Sequence, residues 1–401
     1  MKSGRKVKIT PVLTAYSVLG IGFFTQAASL ILSRGSFLEN IVYDFSRFTD
    51  FFDHVRRFYL GLELVYEEGM HACFPPLAYC FYYLISRVLY LDNIGAPEEL
   101  AVSASGMLVI CMLTALFALF FVFALERLLS VRQPAAKRLL ALLLFCSYPF
   151  WLAIERGNMS QLVLILLMYA MTLKDSEEKA RREAALLLIA VAAGLKLYPA
   201  IFGVMYLAEK RYKEALRLIL YGIFFFVFPF IFFQGLDGFQ IFLRNISAVG
   251  SGTTGITIAG LCGRIAEALG LGLAQGHLMG RILSVLYLGA VLLLSFLNRK
   301  CWQTTALLTS LMIIFVSASG TYCLIYWVIP FLCFLNEMYG RSVWRKLDYA
   351  YAVLFSLVFV AYPVPAMGSS GMLYAVLYVL ILVILAEQTL RTMQKARISF
   401  T

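Results

Sequence analysis

The side chains in this chain that could do chemistry are a few charged and polar groups set beside or inside apolar sequence. Three carboxylates near aromatic residues could accept a proton from a hydroxyl: Asp44, Asp50 and Asp53. The candidate ligands for a substrate, several of them cationic, are His54, Arg57, Glu155, Arg156, Asn158, Lys196 and Tyr198. Such a set indicates group transfer, in which a carboxylate takes the acceptor's proton while cations hold a departing phosphate.

An amphipathic helix is predicted in the segment 44–62. Its apolar residues recur at steps of three and four and would form one stripe lying on the membrane: Phe45, Phe48, Phe52, Val55, Tyr59 and Leu62. Arg47, Asp50, His54 and Arg57 follow the same spacing on another face. The alternative is a solvated face with ion pairs such as Asp53 with Arg57, and spacing alone favours that alternative.

A tight turn is predicted where Glu155-Arg156-Gly157-Asn158 joins two apolar runs. Gly157 and Asn158 suit a backbone of positive φ. Glu155 and Arg156 would then stand directly at the bilayer face with no room to retreat into solvent. A role in a pocket is therefore as well supported as a charged helix cap with an internal ion pair.

A re-entrant hairpin is predicted near 185–207. The gaps on both sides of this run, 174–184 and 208–217, are basic, so a single crossing would place one of them on the wrong side of the membrane. Pro199 removes a backbone donor and drives the residue before it away from helical geometry, which breaks the run near its middle. Broken backbone at that depth must be buried in protein or line a polar cavity.

Lys196 lies at the middle of this hairpin, where a lysine costs roughly 3 kcal/mol on insertion scales. Snorkelling of the side chain to the interface is the alternative, but Lys196 is about ten residues from either end of the run, which is too far for it to reach. We therefore expect Lys196 to line a cavity and to meet an anionic group of a ligand.

The composition fixes the fold class. Of the 401 residues 61% are apolar and only 14% are charged, and the mean hydropathy is +0.82, which excludes a soluble globule. Long apolar runs without alternation exclude an outer-membrane barrel. We predict an all-α, polytopic transmembrane bundle of about 10–12 helices. It forms a single integral membrane domain, 1–401, with two long extracytoplasmic loops, 33–73 and 234–280.

The formal charge of +11 is explained by the membrane topology of the chain and does not imply a nucleic-acid partner. Most basic residues lie in short gaps between apolar runs, which is the positive-inside pattern. We expect a multi-pass protein of the cell or inner membrane with cytoplasmic termini and an extracytoplasmic active site. The eight cysteines form no Cys-x-x-Cys and there are only three histidines, so neither a metal site nor a cofactor is predicted.

Four short segments occur in a characteristic order: Asp50-Phe51-Phe52, Phe74-Pro75-Pro76-Leu77-Ala78-Tyr79, Glu155-Arg156-Gly157-Asn158 and Gly194-Leu195-Lys196-Leu197-Tyr198-Pro199. They resemble the hallmark segments of glycosyltransferase family 87, membrane enzymes of the GT-C type that use polyprenyl-phosphate sugars. The resemblance covers roughly residues 40–260. It implies inverting transfer, commonly of α-mannose from polyprenyl phosphate mannose, with an aspartate of the first outer loop as base. Asp50 matches that aspartate, and Asp44 and Asp53 lie close enough to be alternatives.

The predicted function is metal-independent transfer of a sugar, mannose in the first instance, to a glycan or glycolipid acceptor. The predicted partners are the polyprenyl-phosphate sugar donor, that acceptor and membrane lipids. Two alternatives stay open at this point. One is a transporter or flippase of a lipid-linked glycan, and the other is a polymerase or ligase of surface polysaccharide, which would use a lipid-diphosphate oligosaccharide.

Overall fold

The computed structural model describes residues 9–37, 48–67, 72–88, 97–251, 254–298, 302–316, 319–362 and 368–400. These residues form helices and no strand, which confirms the all-α class. The α-helices are α1 Pro11–Leu32, α2 Thr49–Arg56, α3 Pro76–Val88, α4 Pro97–Val102, α5 Ala104–Leu128, α6 Pro134–Phe145, α7 Tyr148–Arg156, α8 Ser160–Leu173, α9 Lys179–Leu195, α10 Gly203–Ala208, α11 Tyr212–Val227, α12 Leu236–Ser251, α13 Ile258–Ala268, α14 Leu273–Leu297, α15 Trp302–Ser310, α16 Val328–Tyr339, α17 Lys346–Leu357 and α18 Gly368–Phe400. The 3-10 helices are Arg57–Leu60, Leu62–Tyr66, Tyr198–Phe202, Phe228–Phe232 and Thr321–Trp327, and Leu311–Phe315 is a π-helical turn.

The chain is a polytopic integral membrane protein. Six helices within the described ranges are long and apolar enough to cross a bilayer: Pro11–Leu32, Ala104–Leu128, Tyr212–Phe232, Leu273–Leu297, Thr321–Tyr339 and Ser370–Lys395. A seventh crossing is formed if α6 and α7, which meet at a bend of 61°, act as one broken span. The expected 10–12 helices include apolar segments that are shorter than a bilayer requires: Ser160–Leu173, Tyr198–Ala208 and Trp302–Phe315.

The run 185–207 folds back on itself, as the two flanking basic gaps predicted. Helix α9 ends at Leu195, Lys196 is extended, and a 3-10 turn and α10 return the chain. The two ends of the hairpin are joined by ion pairs, since the Nζ of Lys174 lies 2.7 Å from a carboxylate oxygen of Glu209 and Arg211 reaches Asp175 at 2.9 Å. Both gaps therefore lie at one end of the bundle, and the hairpin tip lies away from it.

Charged residues from four gaps between apolar runs meet at this same end, around a cavity of about 450 Å³. Arg127 lies in the last turn of α5, Lys174 and Asp175 follow α8, Glu209 follows α10, and Glu337 lies in the last turns of α16. The gaps are distant in sequence, so their convergence shows that these helices end at a common level. This end of the bundle is called the basic end below.

Where the structure describes the apolar stripe of the segment 44–62, its side chains at Phe48, Phe52 and Val55 do not face the membrane, which corrects the prediction for these residues. Phe48, Phe52 and Val55 are at most 3% exposed and pack against protein. The helix is also shorter than expected, because α2 ends at Arg56 and the chain continues as 3-10 turns with Gly61 at a φ of +113°. Amphipathic spacing identifies an apolar face, but it does not distinguish lipid from protein as the partner of that face.

Candidate active site

Asp50 lies at the start of α2 and faces the end of α7. The N–H of Phe48, a residue in the left-handed region with a φ of +66°, donates to the carbonyl oxygen of Glu155 and ties the two helix ends together. One carboxylate oxygen of Asp50 lies 3.2 Å from Arg156, and the other lies 3.3 Å from the side-chain nitrogen of Asn158. The structure thus brings Asp50 together with two predicted site residues, Arg156 and Asn158, which lie 106 and 108 positions further along the chain.

The turn between α7 and α8 has the predicted conformation at Gly157, whose φ is +67°. Its N–H closes α7 by bonding to the carbonyl oxygens of Ala153 and Ile154. The side-chain oxygen of Asn158 accepts the N–H of Ser160 at 2.8 Å and so begins α8. Asn158 therefore uses its oxygen for the turn and its nitrogen for Asp50, which fixes the orientation of its amide.

Gly157→Ala is expected to destabilise the protein and to disturb Asp50. A Cβ at Gly157 would lie 2.5 Å from the ring of Phe48, and alanine disfavours the positive φ, an effect of about 1–3 kcal/mol before the clash is counted. Gly235→Ala is the matched control, because Gly235 has a φ of +61° but nothing within 4 Å of the added Cβ. We expect a lower Tm in detergent for both variants and a larger loss for Gly157→Ala. Equal losses would show that Phe48 imposes no constraint.

Lys196 is buried at the hairpin tip, which argues against snorkelling. Its side chain is 5% exposed, and its Nζ donates to the hydroxyl of Ser160 at 2.9 Å. The rings of Phe74, Tyr198 and Tyr322 lie 5.3, 5.6 and 5.4 Å from the Nζ. A hydroxyl and three ring faces stabilise an ammonium group without neutralising it.

Tyr322 links the two cations of the site. Its ring lies 5.8 Å from the guanidinium carbon of Arg156 and 5.4 Å from the Nζ of Lys196. Asp50 is also close enough to Lys196 to interact with it electrostatically. Arg156 interacts with the carboxylates of Asp50 and Glu155, whereas Lys196 contacts a hydroxyl and ring faces, an arrangement that can accommodate a substrate with negative charge at Lys196.

Sequence reasoning missed Tyr322, Ser160, Phe74 and Tyr326 as members of this site. Tyr326 bonds to the hydroxyl of Tyr198 at 3.0 Å and so supports one wall around Lys196. Tyr322 and Tyr326 belong to a 3-10 segment, Thr321–Trp327, that reads in sequence as the start of an apolar helix. No charge marks it, so no feature of a single sequence separates it from an ordinary span.

Asp53 and Arg57 form the ion pair that was predicted as the alternative. Their closest atoms lie 2.7 Å apart, one helical turn from Asp50. Glu155 contributes its carbonyl oxygen to the contact with Phe48, and its half-buried side chain acts electrostatically on Arg156. Asp44 lies outside the described residues.

His54 lies one helical turn from Asp50 and is buried among aromatic rings, so it is not part of a solvated edge. Its ring packs 4.4 Å from that of Phe74 and its Nδ1 lies 3.4 Å from the hydroxyl of Tyr79. Burial lowers the pKa of His54 from 6.5 to about 3, with Arg57 the next cause and Asp53 opposing. His54 is therefore neutral at physiological pH and lies behind Phe74, which separates it from Lys196.

The burial of His54 predicts loss of stability in acid. Below pH 6.5 the unfolded chain binds a proton at His54 that the folded protein does not bind until about pH 3, so stability falls as the pH drops through this window. One such proton changes stability by at most about 1.4 kcal/mol per pH unit. We expect the Tm of His54→Gln to fall less than that of the parent between about pH 7 and pH 5. Parallel curves would assign the acid sensitivity to other groups.

Comparison with known proteins identifies the family to which the chain belongs. The family model for glycosyltransferase family 87 matches residues 74–326, whereas no curated protein and no solved structure gives a match. The matched part begins at Phe74, after Asp50, and extends further toward the C-terminus than the sequence resemblance did, as far as Tyr326. It covers more than half of the chain and includes Arg156, Asn158 and Lys196. The chain is a membrane protein that belongs to glycosyltransferase family 87.

Proposed function

We propose that this glycosyltransferase moves a hexose, mannose in the first instance, from a polyprenyl-phosphate donor to a hydroxyl of a glycan or glycolipid. The observation that carries the proposal is the placement of one carboxylate, Asp50, beside Arg156 and near a buried cation, Lys196. A carboxylate can take the proton of the acceptor, and two cations can hold the phosphate that leaves. The site therefore has a group for the acceptor and groups for the leaving phosphate.

In the proposed reaction the acceptor oxygen attacks the anomeric carbon from the face opposite the phosphate. The carbon–oxygen bond to phosphate breaks as the new glycosidic bond forms, which inverts the configuration. The acceptor proton goes to Asp50, and polyprenyl phosphate leaves with the electron pair of the broken bond. Arg156 and Lys196 stabilise the phosphate, so that positive charge from side chains serves where other transferases use a metal.

Asp50 is preferred to its neighbours as the base. Both of its oxygens face the α7–α8 turn, so Arg156 and Asn158 hold the carboxylate in one orientation. Asp53 directs an oxygen at Arg57 instead. We assign Asn158 and Glu155 to shaping of the sugar-phosphate site, and Tyr198 to the wall beside Lys196.

We further propose that the active site is extracytoplasmic and that both termini are cytoplasmic. The support is the basic end, where gaps that follow α5, α8 and α10 converge. By the positive-inside rule we assign that end to the cytoplasm, and the tip of the hairpin, with Lys196, lies away from it.

The purified chain in detergent micelles tests the proposal. It should release polyprenyl phosphate from polyprenyl-phosphate mannose and glycosylate an acceptor from a membrane glycolipid extract, with inversion seen by NMR of the product. Micelles have no second compartment, so turnover there also excludes a flippase. Turnover only with nucleotide sugars, or only with lipid-diphosphate oligosaccharides, would overturn the proposal.

A further inference from the structure

Four hydroxyl side chains from three segments meet beside the candidate site. Tyr148 is the first residue of α7, and Thr321 opens the 3-10 segment Thr321–Trp327. Ser370 and Tyr374 lie in the first turns of α18. The Oγ1 of Thr321 lies 2.7 Å from the hydroxyl of Tyr374 and 3.2 Å from the Oγ of Ser370. That Oγ lies 3.4 Å from the hydroxyl of Tyr148, and these four residues are called the hydroxyl cluster below.

The bonding within the hydroxyl cluster differs from that of other hydroxyls in the bundle. Ser284, Ser295 and Ser356 donate to the carbonyl oxygen four residues earlier in their own helices, which is a common arrangement for a hydroxyl in an apolar helix. The hydroxyl of Thr321 instead donates to the side chain of Ser370 on another segment. Bonds between two side chains are the minority class in folded proteins. Here they gather, in one place, groups that can both donate and accept.

The hydroxyl cluster is continuous with the candidate site through two segments. Thr321 precedes Tyr322, the residue whose ring contacts both Arg156 and Lys196, and neighbouring side chains of a 3-10 helix point about 120° apart. Tyr148 lies on the same helix as Arg156, about 12 Å before it at the helical rise. A substrate that reacts beside Arg156 therefore has the hydroxyl cluster within reach of the sugar that follows the reacting one.

Helix α13 and the turn before it form a wall beside the hydroxyl cluster. The hydroxyl of Thr254 donates to the carbonyl oxygen of Ser319, close to the start of the 3-10 segment. The guanidinium carbon of Arg264, on α13, lies 5.8 Å from the centre of the Tyr374 ring. Ser370 and Tyr374 are half-buried and Arg264 is exposed, so the cluster lies at the edge of the protein, where a ligand can reach it.

We propose that the hydroxyl cluster is an acceptor subsite, which binds a sugar unit of the acceptor next to the unit whose hydroxyl attacks the donor. The inference rests on the proposed function, because it takes the acceptor to be a glycan or glycolipid. A sugar presents several hydroxyls, and protein hydroxyls can donate to them or accept from them. The donor's sugar is bonded directly to the phosphate at Arg156 and Lys196, which leaves the far side of the cluster, about 12 Å along α7, to the acceptor.

Tyr374→Phe tests the subsite, and Tyr378→Phe is its matched control. Both changes remove one hydroxyl from the same face of α18, but Tyr378 donates to the carbonyl oxygen of Ile256 at 2.9 Å, outside the cluster. Initial rates in micelles are measured against the concentration of membrane glycolipid extract and, separately, of polyprenyl-phosphate mannose. Hydrolysis of the donor without the extract, in which water attacks in place of the acceptor, reports on the rest of the site.

We expect Tyr374→Phe to raise the apparent KM for the extract about three- to tenfold, as for loss of one hydrogen bond. The donor KM and the hydrolysis rate should stay at parental values, and Tyr378→Phe should change none of the three quantities. Ser370→Ala should repeat the result of Tyr374→Phe, so that a folding defect in one variant does not decide the outcome.

Three results would overturn the subsite alone. A raised donor KM or slower hydrolysis in Tyr374→Phe and Ser370→Ala would assign the cluster to the donor, and parental values throughout would make it a structural contact. An equal rise of the extract KM in Tyr378→Phe would assign the effect to the packing of α18. A parent that neither glycosylates the extract nor hydrolyses the donor would overturn the proposed function, and the subsite with it.

Discussion

Replacing Asp50 with asparagine is expected to lower the kcat of sugar transfer by about 10²–10⁴-fold, the usual contribution of a general base. Asparagine has the same size, but its single oxygen can accept from Arg156 or from Asn158 and not from both, and it cannot take the acceptor's proton. The donor KM should change little, because the phosphate is held by Lys196 and Arg156. Single-turnover transfer from polyprenyl-phosphate mannose, in the purified variant, measures the effect on the chemical step.

Asp53→Asn is the matched control, the same change three residues further on. It removes a partly exposed ion pair between Asp53 and Arg57, which is worth about 0.3–0.5 kcal/mol for such an i,i+4 contact. Its kcat should stay within about threefold of the parent and its Tm should fall slightly. If Asp53→Asn lost activity and Asp50→Asn kept it, the base would be Asp53 and the geometry around Arg156 would have another purpose.

The charged parts of the site could be predicted because charge is rare in this chain. Arg156, Asn158 and Lys196 were singled out by their positions next to or inside apolar runs, and the structure groups all three near Asp50. The hairpin followed from the same reasoning, since two basic gaps around one run cannot both be satisfied by a single crossing. Membrane topology and the free-energy cost of burial both depend on the position of each single charge. A single sequence therefore reveals which charged residues are unusual.

The aromatic parts of the site could not be predicted in the same way. Phe52 belongs to a stripe that is equally consistent with a lipid-facing or a protein-facing helix, and the structure buries it completely. Tyr322 is one of 23 tyrosines and lies in an apolar segment that a single sequence does not distinguish from other spans. Its position between two cations depends on packing between distant segments, which periodicity does not encode.

The lysines at the two ends of the hairpin have different surroundings. At the basic end Lys174, 7% exposed, pairs with the equally buried Glu209, and Arg211 completes the group at 3.3 Å from that carboxylate. At the tip Lys196 is as deeply buried but contacts a hydroxyl and rings. A buried ion pair that is satisfied holds a structure together, whereas a buried cation without a neutralising contact is stabilised when an anionic ligand arrives.

Lys196→Met separates these two roles. It removes the charge and keeps most of the side-chain volume, so transfer should fall about 10²–10³-fold in kcat/KM, with a raised donor KM, as for loss of one donor to a developing charge. Stability should be unchanged or higher, because the buried ammonium group of Lys196 costs roughly 3 kcal/mol in a membrane segment. Donor titration of initial rates and Tm in detergent measure the two effects.

Lys174→Met is the control that should show the opposite pattern. Glu209, 5% exposed, would lose its nearest cation, and the Tm should fall. The loss should be smaller than the roughly 3–5 kcal/mol seen when a buried pair is broken, since Glu209 keeps Arg211. Its donor KM should remain parental because the basic end lies away from the hairpin tip. A stability loss in Lys196→Met with a normal donor KM would assign Lys196 to the scaffold and remove the phosphate from the proposed site.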